Sequence, residues 1–276
     1  MLAPSLAKFG PLGVKEFEVF DLPFIFKDTE AFRAVTDGTV GADLFKKLEP
    51  KGIKGLAYWD NGFHIMSANK PLHAVADFKG LKMRIQSSKV LDAQMRALGA
   101  IPQVMAFSEL YQALQSGVVD GTEGVPSNFY TQKIYEVQKH MTMSNHGHLA
   151  YAVIVNKKFW DGLPADVRTQ LDGAIADASK YANDIAKKEN DRALAAIEAA
   201  LPELEAKCFL AMRYWHPFSL ETARAVRKIW PDHLPLAVRL SAIDLMSNGW
   251  QIEDSIALAN ILQGEGVDLI DSSSGG

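Results

Sequence analysis

The sequence predicts an α/β fold with a largely parallel sheet and a long helix that braces two lobes. Short apolar strands alternate with helical patterns, which is typical of parallel strands joined by crossover helices. An alanine-rich helical pattern then runs from Pro164 to about Ala200. At 1.5 Å per residue this helix is on the order of 50 Å long, more than one compact domain needs. The predicted strands are 52–60, 80–86, 118–120 and 149–156.

Length and composition limit the class of protein. The chain has 276 residues, of which 48% are hydrophobic, enough for one large or two modest domains. A net charge of −4 and a pI near 6.0 give no reason to expect a nucleic-acid partner, which usually requires a basic face. No apolar run approaches the roughly 18 residues of a transmembrane helix, so direct membrane insertion is not expected.

The helices between the strands are predicted from their ends. Serine is a favoured N-cap because its side-chain oxygen accepts a hydrogen bond from a free amide of the first turn. Glycine is favoured just after the last turn. The predicted helices run from Ser87 or Ser88 to Gly99, from Ser108 to Gly117 and from Ser127 to about His140.

The N-terminal segment is predicted to enter an ordered core. "MLAPSLAKFG" has no basic start followed by a long apolar stretch and a cleavage site, so it lacks the pattern of a secretory signal. In "KEFEVFDLPFIF", Phe17, Val19 and Phe20 lead into Asp21 and Pro23. This pattern is typical of an extended, half-buried segment.

One arginine stands in the strand before the first serine-capped helix. In "DFKGLKMRIQSS", Arg84 lies between two apolar residues, and Ser87 and Ser88 begin the helix. A planar guanidinium forms two parallel hydrogen bonds with a carboxylate, and the free amides of a helix N-terminus also favour an anion. The alternation of Lys82, Arg84 and Gln86 leaves a second interpretation open, a solvated strand face without a function.

Several separate motifs resemble those of the DctP-type solute-binding proteins of TRAP transporters, the tripartite periplasmic carboxylate importers. They are "FEVFDLPFIF", "GLKMR", "PQVMAFSELYQALQSGVVDG" and "FYTQKIYEVQKH", in the family's order within residues 1–205. The resemblance implies a two-lobed periplasmic-binding-protein-like fold that closes over a small organic acid and passes it to TRAP membrane subunits. It also implies a periplasmic location and no enzymatic reaction.

The resemblance implies which residues hold the ligand. Arg84 takes the position of the strand arginine that pairs with the ligand carboxylate. Asn61 in "WDNGFH" matches a loop after a strand, and His64 stands where some members have a second polar or basic contact, although a loop histidine is more often merely exposed. The segment "GTEGVPSN" completes the pocket with Glu123, Ser127 and Asn128.

Two positions of that segment depart from the family's pattern. Gly124 replaces a frequent asparagine that contacts ligand, and Pro126 replaces a frequent tryptophan. The matching motifs favour a C4-dicarboxylate over a sugar acid. The departures therefore bear on the ligand class and not on the fold.

The start of the chain also differs from the family. A first strand, a helix and a second strand precede the segment that resembles "MLAPSLAKFGPLGVKEFE". The resemblance thus implies a truncated first lobe without its central strands. Such a sheet is expected to expose apolar faces and unpaired edges, which favours aggregation.

The tail after a junction at 206–215 has a different composition. Residues 1–215 carry 25 basic and 25 acidic residues, and residues 216–276 carry 4 and 8, so the net charge of −4 belongs to the tail. Its two strands, joined by a helix, predict a βαβ unit. The pattern is a helix at 219–230, a strand at 234–242, a helix at 252–266 that ends at Gly264, and a strand from 267.

This tail resembles the later part of the (β/α)₈ barrel of the old yellow enzyme family of flavin oxidoreductases. The resemblance implies FMN contacts from Arg239 and from a serine–glycine loop of Ser274, Gly275 and Gly276. A complete barrel needs about 250 residues, and the family's catalytic residues come from strands outside this segment. The alternatives to a solute-binding protein are therefore an FMN-dependent ene-reductase fragment or a hybrid without ligand function.

No metal site is predicted. The single cysteine, Cys208, excludes an internal disulfide and a cysteine-based metal cluster. His140, His146 and His148 lie close together in sequence, but no cysteine or acidic residue stands beside them at ligand spacing. They are predicted to be surface histidines.

Overall fold

The computed structural model describes residues 1–200, 224, 237–241, 252–264, 267 and 269–273. Within these, the helices are α1 (Thr29–Thr36), α2 (Thr39–Leu48), α3 (Lys89–Ala97), α4 (Leu110–Gln115), α5 (Pro126–Thr131), α6 (Ile134–Val137), α7 (Lys157–Asp161), α8 (Ala165–Ala200) and α9 (Ile252–Gly264). The strands are β1 (Ile53–Phe63), β2 (Ile65–Ala68), β3 (Lys82–Ile85), β4 (Ile101–Val104), β5 (Gly121–Gly124), β6 (His140–Thr142), β7 (His148–Asn156), β8 (Ala237–Ser241) and β9 (Leu269–Ser273).

The first lobe is built on an antiparallel pair of long strands. β1 pairs with β7 from Ile53 opposite Asn156 to Phe63 opposite His148, with two irregularities in register. The N-terminal segment adds two isolated bridges to β7, at Leu2 and at Ser5. Helices α1 and α2 and the N-terminal 3₁₀ turns pack on this pair around an aromatic core.

The segment predicted to be extended is a 3₁₀ helix at Lys15–Asp21. A 3₁₀ helix has three residues per turn, so Phe17 and Phe20 point to the same side. Both are buried in the first-lobe core. The prediction of an extended segment was wrong, whereas the prediction that it enters the core is confirmed.

The second lobe contains a mixed five-stranded sheet in the order β4-β3-β5-β2-β6. β3 is parallel to both β4 and β5, but β2 is antiparallel to both β5 and β6. The prediction of a largely parallel sheet was therefore wrong. β2 enters this sheet directly from β1, and β6 returns the chain to β7, so their directions are set by the two passages between the lobes.

Buried side chains cover both faces of the second sheet. One cluster contains Met83 and Ile85 of β3 with residues of α3. The other contains Ile65 of β2 with residues of α4, α5 and α6, and Ile197 of α8. The sheet is therefore a central layer, which explains why Arg84, between Met83 and Ile85, has no solvent face to occupy.

Of the predicted helices, the one that begins at Ser88 is confirmed, and the one from Ser127 to about His140 is wrong. The hydroxyl of Ser88 accepts a hydrogen bond from the amide of Leu91 at 3.4 Å and caps α3. The predicted third strand lies three residues later, at β5. The helix predicted from Ser127 to His140 is instead α5, α6 and β6, because Lys133 adopts a left-handed conformation with φ of 55° and ends the helical run.

Helix α8 braces the two lobes, as its predicted length indicated. Its side chains hydrogen-bond to β1 of the first lobe and to the start of α5 in the second. The bonds join Trp59 to Ser179 (2.8 Å), the amide of Asp60 to Asn183 (2.7 Å), the carbonyl of Asn61 to Asn190 (2.6 Å) and the amide of Ser127 to Asn190 (3.0 Å).

In the tail, β8 and β9 are parallel, with Arg239 opposite Asp271, and α9 lies between them in sequence. The predicted βαβ unit is therefore confirmed. Of the helix predicted at 219–230 the structure describes Arg224, in helical conformation. Ser274, Gly275 and Gly276 of the predicted flavin loop lie outside the described residues.

None of the described helices has the length and apolar character that crossing a bilayer requires.

The packing of the first-lobe core predicts that replacing one of its aromatic side chains by alanine strongly lowers the free energy of unfolding. Phe20 is buried and its ring lies 5.8 to 6.3 Å from those of Phe17, Phe26, Phe32 and Tyr58. We expect Phe20→Ala to lower the free energy of unfolding by about 3–5 kcal/mol, since it removes apolar contacts and leaves a cavity. Urea denaturation measures this.

The matched control is Phe159→Ala, because Phe159 is 59% exposed on α7. It should change the free energy of unfolding by no more than about 0.5 kcal/mol. Equal effects of the two substitutions would contradict this description of the core.

Candidate functional site

The candidate site is centred on Arg84 of β3, which is only 4% exposed. Its strand is flanked by β4 and β5, with Gln103 opposite on one side and Thr122 on the other. Nε and Nη2 of Arg84 both donate to the carbonyl of Met105, at 3.1 and 3.0 Å. The guanidinium carbon lies 5.6 Å from the ring centroid of Phe107. The interpretation of Arg84 as a solvated strand residue was wrong.

The charge of Arg84 has no ion-pair partner among the described residues within 4.0 Å. Burial lowers the pKa of its guanidinium, and the charge of Glu123 partly opposes this shift. A buried cation without a paired anion costs free energy. The remaining N–H groups of the guanidinium are therefore suited to a carboxylate supplied from outside the chain.

Three of the predicted ligand residues, Asn61, Ser127 and Asn128, lie in contact with one another. The amide nitrogen of Asn61 donates to Asn128 at 3.4 Å and to the hydroxyl of Tyr151 at 2.8 Å. The hydroxyl of Ser127 donates to the side-chain oxygen of Asn61 at 3.1 Å. Asn61 belongs to β1 and not to a loop after it, so the strand itself fixes the position of this cluster.

His64 and Glu123 also lie together, and a third residue joins them. Nδ1 of His64 lies 3.3 Å from Oε2 of Glu123, and Nε2 of His146 lies 3.3 Å from the same oxygen. Nδ1 of His146 is 2.7 Å from the hydroxyl of Ser144. All three side chains of this buried triad, His64, Glu123 and His146, are shielded from solvent.

The prediction of surface histidines was wrong for two of three. His146 is 1% exposed, and His148 is buried with Nε2 at 3.1 Å from Asp60, whereas His140 is half-buried on β6. His64 is buried as well, and its backbone amide donates to the carbonyl of Gly147 at 2.9 Å, which links the two passages between the lobes.

The buried triad keeps a negative charge inside the protein. Burial alone would raise the pKa of Glu123, but the charges and hydrogen bonds of His64 and His146 outweigh burial and hold it well below its usual range. Burial lowers the pKa of His146, although Glu123 opposes that shift. The carboxylate of Glu123 is therefore ionised and contributes negative potential near Arg84.

Asp21 is a second buried acid near this charge. Burial raises its pKa to about 7, and the negative charges of Glu123 and Glu18 act in the same direction. A hydrogen bond from Ser88 and the charge of His64 act in the opposite direction. Part of the residue is exposed, but its Oδ2 is buried and has no hydrogen-bond partner among the described residues.

The structure shows what surrounds Gly124 and Pro126, the two residues that depart from the family's pattern. A Cβ atom added at Gly124 would lie 2.5 Å from the ring of Phe129, so no side chain fits there without displacing that ring. Pro126 is the first residue of α5, where its missing amide is not needed. Glycine at 124 therefore follows from the packing of Phe129 beside β5.

Sequence reasoning missed Asp21, His146, Tyr151 and Asn190. For Asn190 a signal exists, since Ser179, Asn183 and Asn190 form a polar stripe on the otherwise alanine-rich α8. For the others there is no local pattern. Tyr151, for example, meets Asn61 across 90 residues of sequence.

Comparisons with known proteins agree with this architecture. The family model described as bacterial extracellular solute-binding protein, family 7, matches residues 1–207. A C4-dicarboxylate-binding periplasmic protein DctP from Rhodobacter capsulatus is 72% identical over 200 residues, which are 72% of this chain and 60% of that protein. The chain thus spans less than two thirds of the length of this relative.

Two solved structures have the same fold. A TRAP periplasmic solute-binding protein from Sulfurospirillum deleyianum with bound succinate matches with a TM-score of 0.75 and 42% identity, over 83% of this chain and 73% of that one. A TRAP periplasmic solute-binding protein from Pseudomonas aeruginosa with bound L-malate matches with a TM-score of 0.76 and 35% identity, over 82% and 78%. The two-lobed α/β fold is therefore shown.

The raised pKa of Asp21 predicts a pH dependence of stability. The folded chain holds a proton on Asp21 that the unfolded chain releases near pH 3.8. The contribution of this group to the free energy of unfolding is therefore fully present at low pH. That contribution is lost as pH rises from about 4 to about 7, by up to about 1.4 kcal/mol per pH unit. Asp21→Asn should therefore gain stability relative to the parent chain across this range.

Urea denaturation at several pH values between 4.5 and 7.5 measures that difference. Asp43→Asn is the control, since Asp43 is exposed and its pKa is lowered by Lys46, so its difference from the parent should stay constant in this range. A constant difference for Asp21→Asn as well would contradict the buried, protonated carboxyl.

Proposed function

The chain belongs to family 7 of the bacterial extracellular solute-binding proteins, and we propose that it binds a small organic acid, a C4-dicarboxylate, through Arg84. The observation that carries this proposal is the burial of the Arg84 guanidinium without an anionic partner among the described side chains. A carboxylate supplies the missing charge and matches the planar fork of N–H donors. Binding makes and breaks no covalent bond.

The second half of the proposed site is the cluster of Asn61, Ser127 and Asn128. Its amide and hydroxyl groups hydrogen-bond to one another and can exchange those bonds for bonds to a ligand. Asn61 belongs to the first lobe and Ser127 to the second, so a ligand held by both would favour the closed arrangement of the lobes. His64 and Glu123 stay in the proposal as the residues that shape the electrostatic field.

The choice of a C4-dicarboxylate rests on the relatives. The Rhodobacter capsulatus relative is named as a C4-dicarboxylate-binding protein, and two structural neighbours contain succinate and L-malate. We extend that ligand class to this chain as a proposal.

Delivery of the ligand to TRAP membrane subunits and a periplasmic location belong to the same proposal. Both rest on the names of proteins of which this chain spans only part. What the described residues add in support is the two-lobed fold, with α8 hydrogen-bonded to both lobes.

The interpretation of 216–276 as a flavin-binding barrel fragment stays a prediction. The parallel pairing of β8 and β9 around α9 supports a βαβ unit, and Arg239 lies in β8. A βαβ unit is shared by many folds, so it does not favour FMN over other ligands or over none.

Substitution of Arg84 tests the proposed function. Succinate binding measured by isothermal titration calorimetry should weaken at least about 30-fold in Arg84→Met, the equivalent of 2 kcal/mol or more for loss of one partner of a buried charge pair. Arg84→Lys keeps the charge but loses the fork and should also bind more weakly than the parent chain.

The control is Arg96→Met on the exposed side of α3, where Arg96 pairs with Asp92 at 2.7 Å. It should bind succinate like the parent chain. No succinate binding by the parent, or parental affinity in a folded Arg84→Met variant, would contradict the proposal.

A further inference from the structure

The buried triad has the composition and spacing of a transition-metal site. We propose that His64, Glu123 and His146 bind one Zn²⁺ ion through Nδ1, Oε2 and Nε2. The donor atoms lie within 4.8 Å of one another, and all three side chains are buried. The proposal concerns these side chains alone and does not depend on the carboxylate ligand.

Two of the three donor-to-donor distances fit a tetrahedral ion. Zinc bonds to histidine nitrogen and carboxylate oxygen measure 2.0–2.2 Å, so two donors at corners of a tetrahedron lie about 3.3 to 3.6 Å apart. Both nitrogen-to-oxygen distances in the triad are 3.3 Å, and the two histidine nitrogens lie within 4.8 Å of each other, so binding of an ion would draw them together. Two histidines and one carboxylate leave the fourth corner open, as in zinc sites with an exchangeable ligand.

The hydrogen bonding of the triad is incomplete without a cation. Nδ1 of His64 lies 3.3 Å from Oε2 of Glu123 but without the full geometry of a hydrogen bond, and Oε1 of Glu123 is buried with no hydrogen-bond partner among the described residues. Buried polar atoms are nearly always paired, so each of these atoms requires an explanation. A metal ion on the Oε2 side would take up the free nitrogen of His64 and the negative charge of Glu123.

A second residue orients the proposed ligand His146. The hydroxyl of Ser144 lies 2.7 Å from Nδ1 of His146. When that nitrogen carries the proton and donates to Ser144, the lone pair of Nε2 faces Glu123. A hydrogen bond to the non-ligating nitrogen is the usual support of a metal-bound histidine.

The nature of the donors selects the ion. Imidazole nitrogen suits Zn²⁺ and other late first-row divalent ions, whereas Mg²⁺ and Ca²⁺ prefer sites made of oxygen. Only one donor of the triad is oxygen. The site is therefore expected to reject Mg²⁺ and Ca²⁺ at concentrations where Zn²⁺ binds.

The position of the triad gives the ion a structural consequence. His64 lies in the passage from β1 to β2, His146 lies in the passage from β6 to β7, and Glu123 lies on β5. An ion bound to all three would tie both passages between the lobes to the second-lobe sheet. Zn²⁺ should therefore raise the thermal unfolding temperature of the chain.

The test uses the untagged chain, treated with EDTA and dialysed into a buffer free of carboxylates. Zn²⁺ alone is titrated by calorimetry, and Co²⁺ is added in parallel as a spectroscopic probe. We expect one Zn²⁺ per chain, a visible absorption band of tetrahedral Co²⁺, and at least tenfold weaker Zn²⁺ binding in His146→Gln and in His64→Gln.

His140→Gln is the matched control, because His140 lies on β6 outside the triad, and it should bind Zn²⁺ like the parent chain. Thermal melts of the metal-free variants show whether each is folded. Absence of Zn²⁺ binding and of the Co²⁺ band in the parent, parental binding in a folded His146→Gln variant, or equal competition by Mg²⁺ would each overturn the proposal. A proton between Glu123 and His146 would then explain the contact, and the succinate titration would be unaffected.

Discussion

The interaction on which the site depends is the burial of the Arg84 guanidinium in a strand with protein on both faces. Its two hydrogen bonds to the carbonyl of Met105 orient the group but do not neutralise it. A buried cation is tolerated only when nearby negative potential or a ligand compensates it. Glu123 supplies the potential from the adjacent strand β5, and the proposed dicarboxylate supplies the direct partner.

This constraint connects buried charges from both lobes. Glu123 stays ionised next to His64 and His146, and its charge helps to raise the pKa of Asp21. The four groups lie on different parts of the chain but share one buried region, so a substitution at one should alter the others. The brace of α8 on β1 and α5 holds the frame in which this region sits.

The features that the sequence predicted correctly depend on local patterns. Ser88 predicts the start of α3, and the alanine-rich run after Pro164 predicts α8. The alternation of strand and helix patterns in the tail predicts β8 and β9. Arg84 could be chosen as a ligand residue because its surrounding motifs resemble a known family. These signals lie within a few turns or one strand of the residue concerned.

The features that sequence-based prediction missed depend on contacts between distant segments of the chain. The mixed sheet arises because β2 and β6 cross between lobes, and no short pattern reports the direction of a strand in space. His146 meets Glu123 and His64 only after the chain returns through β6, so its spacing in sequence suggested an exposed residue.

The most direct test of the central claim is a crystal structure of the chain grown with succinate. We predict a succinate carboxylate bound at 2.7–2.9 Å to the N–H groups of Nη1 and Nη2 that the Met105 carbonyl leaves free, and succinate bound elsewhere, or absent from crystals grown at saturating concentration, would contradict the account.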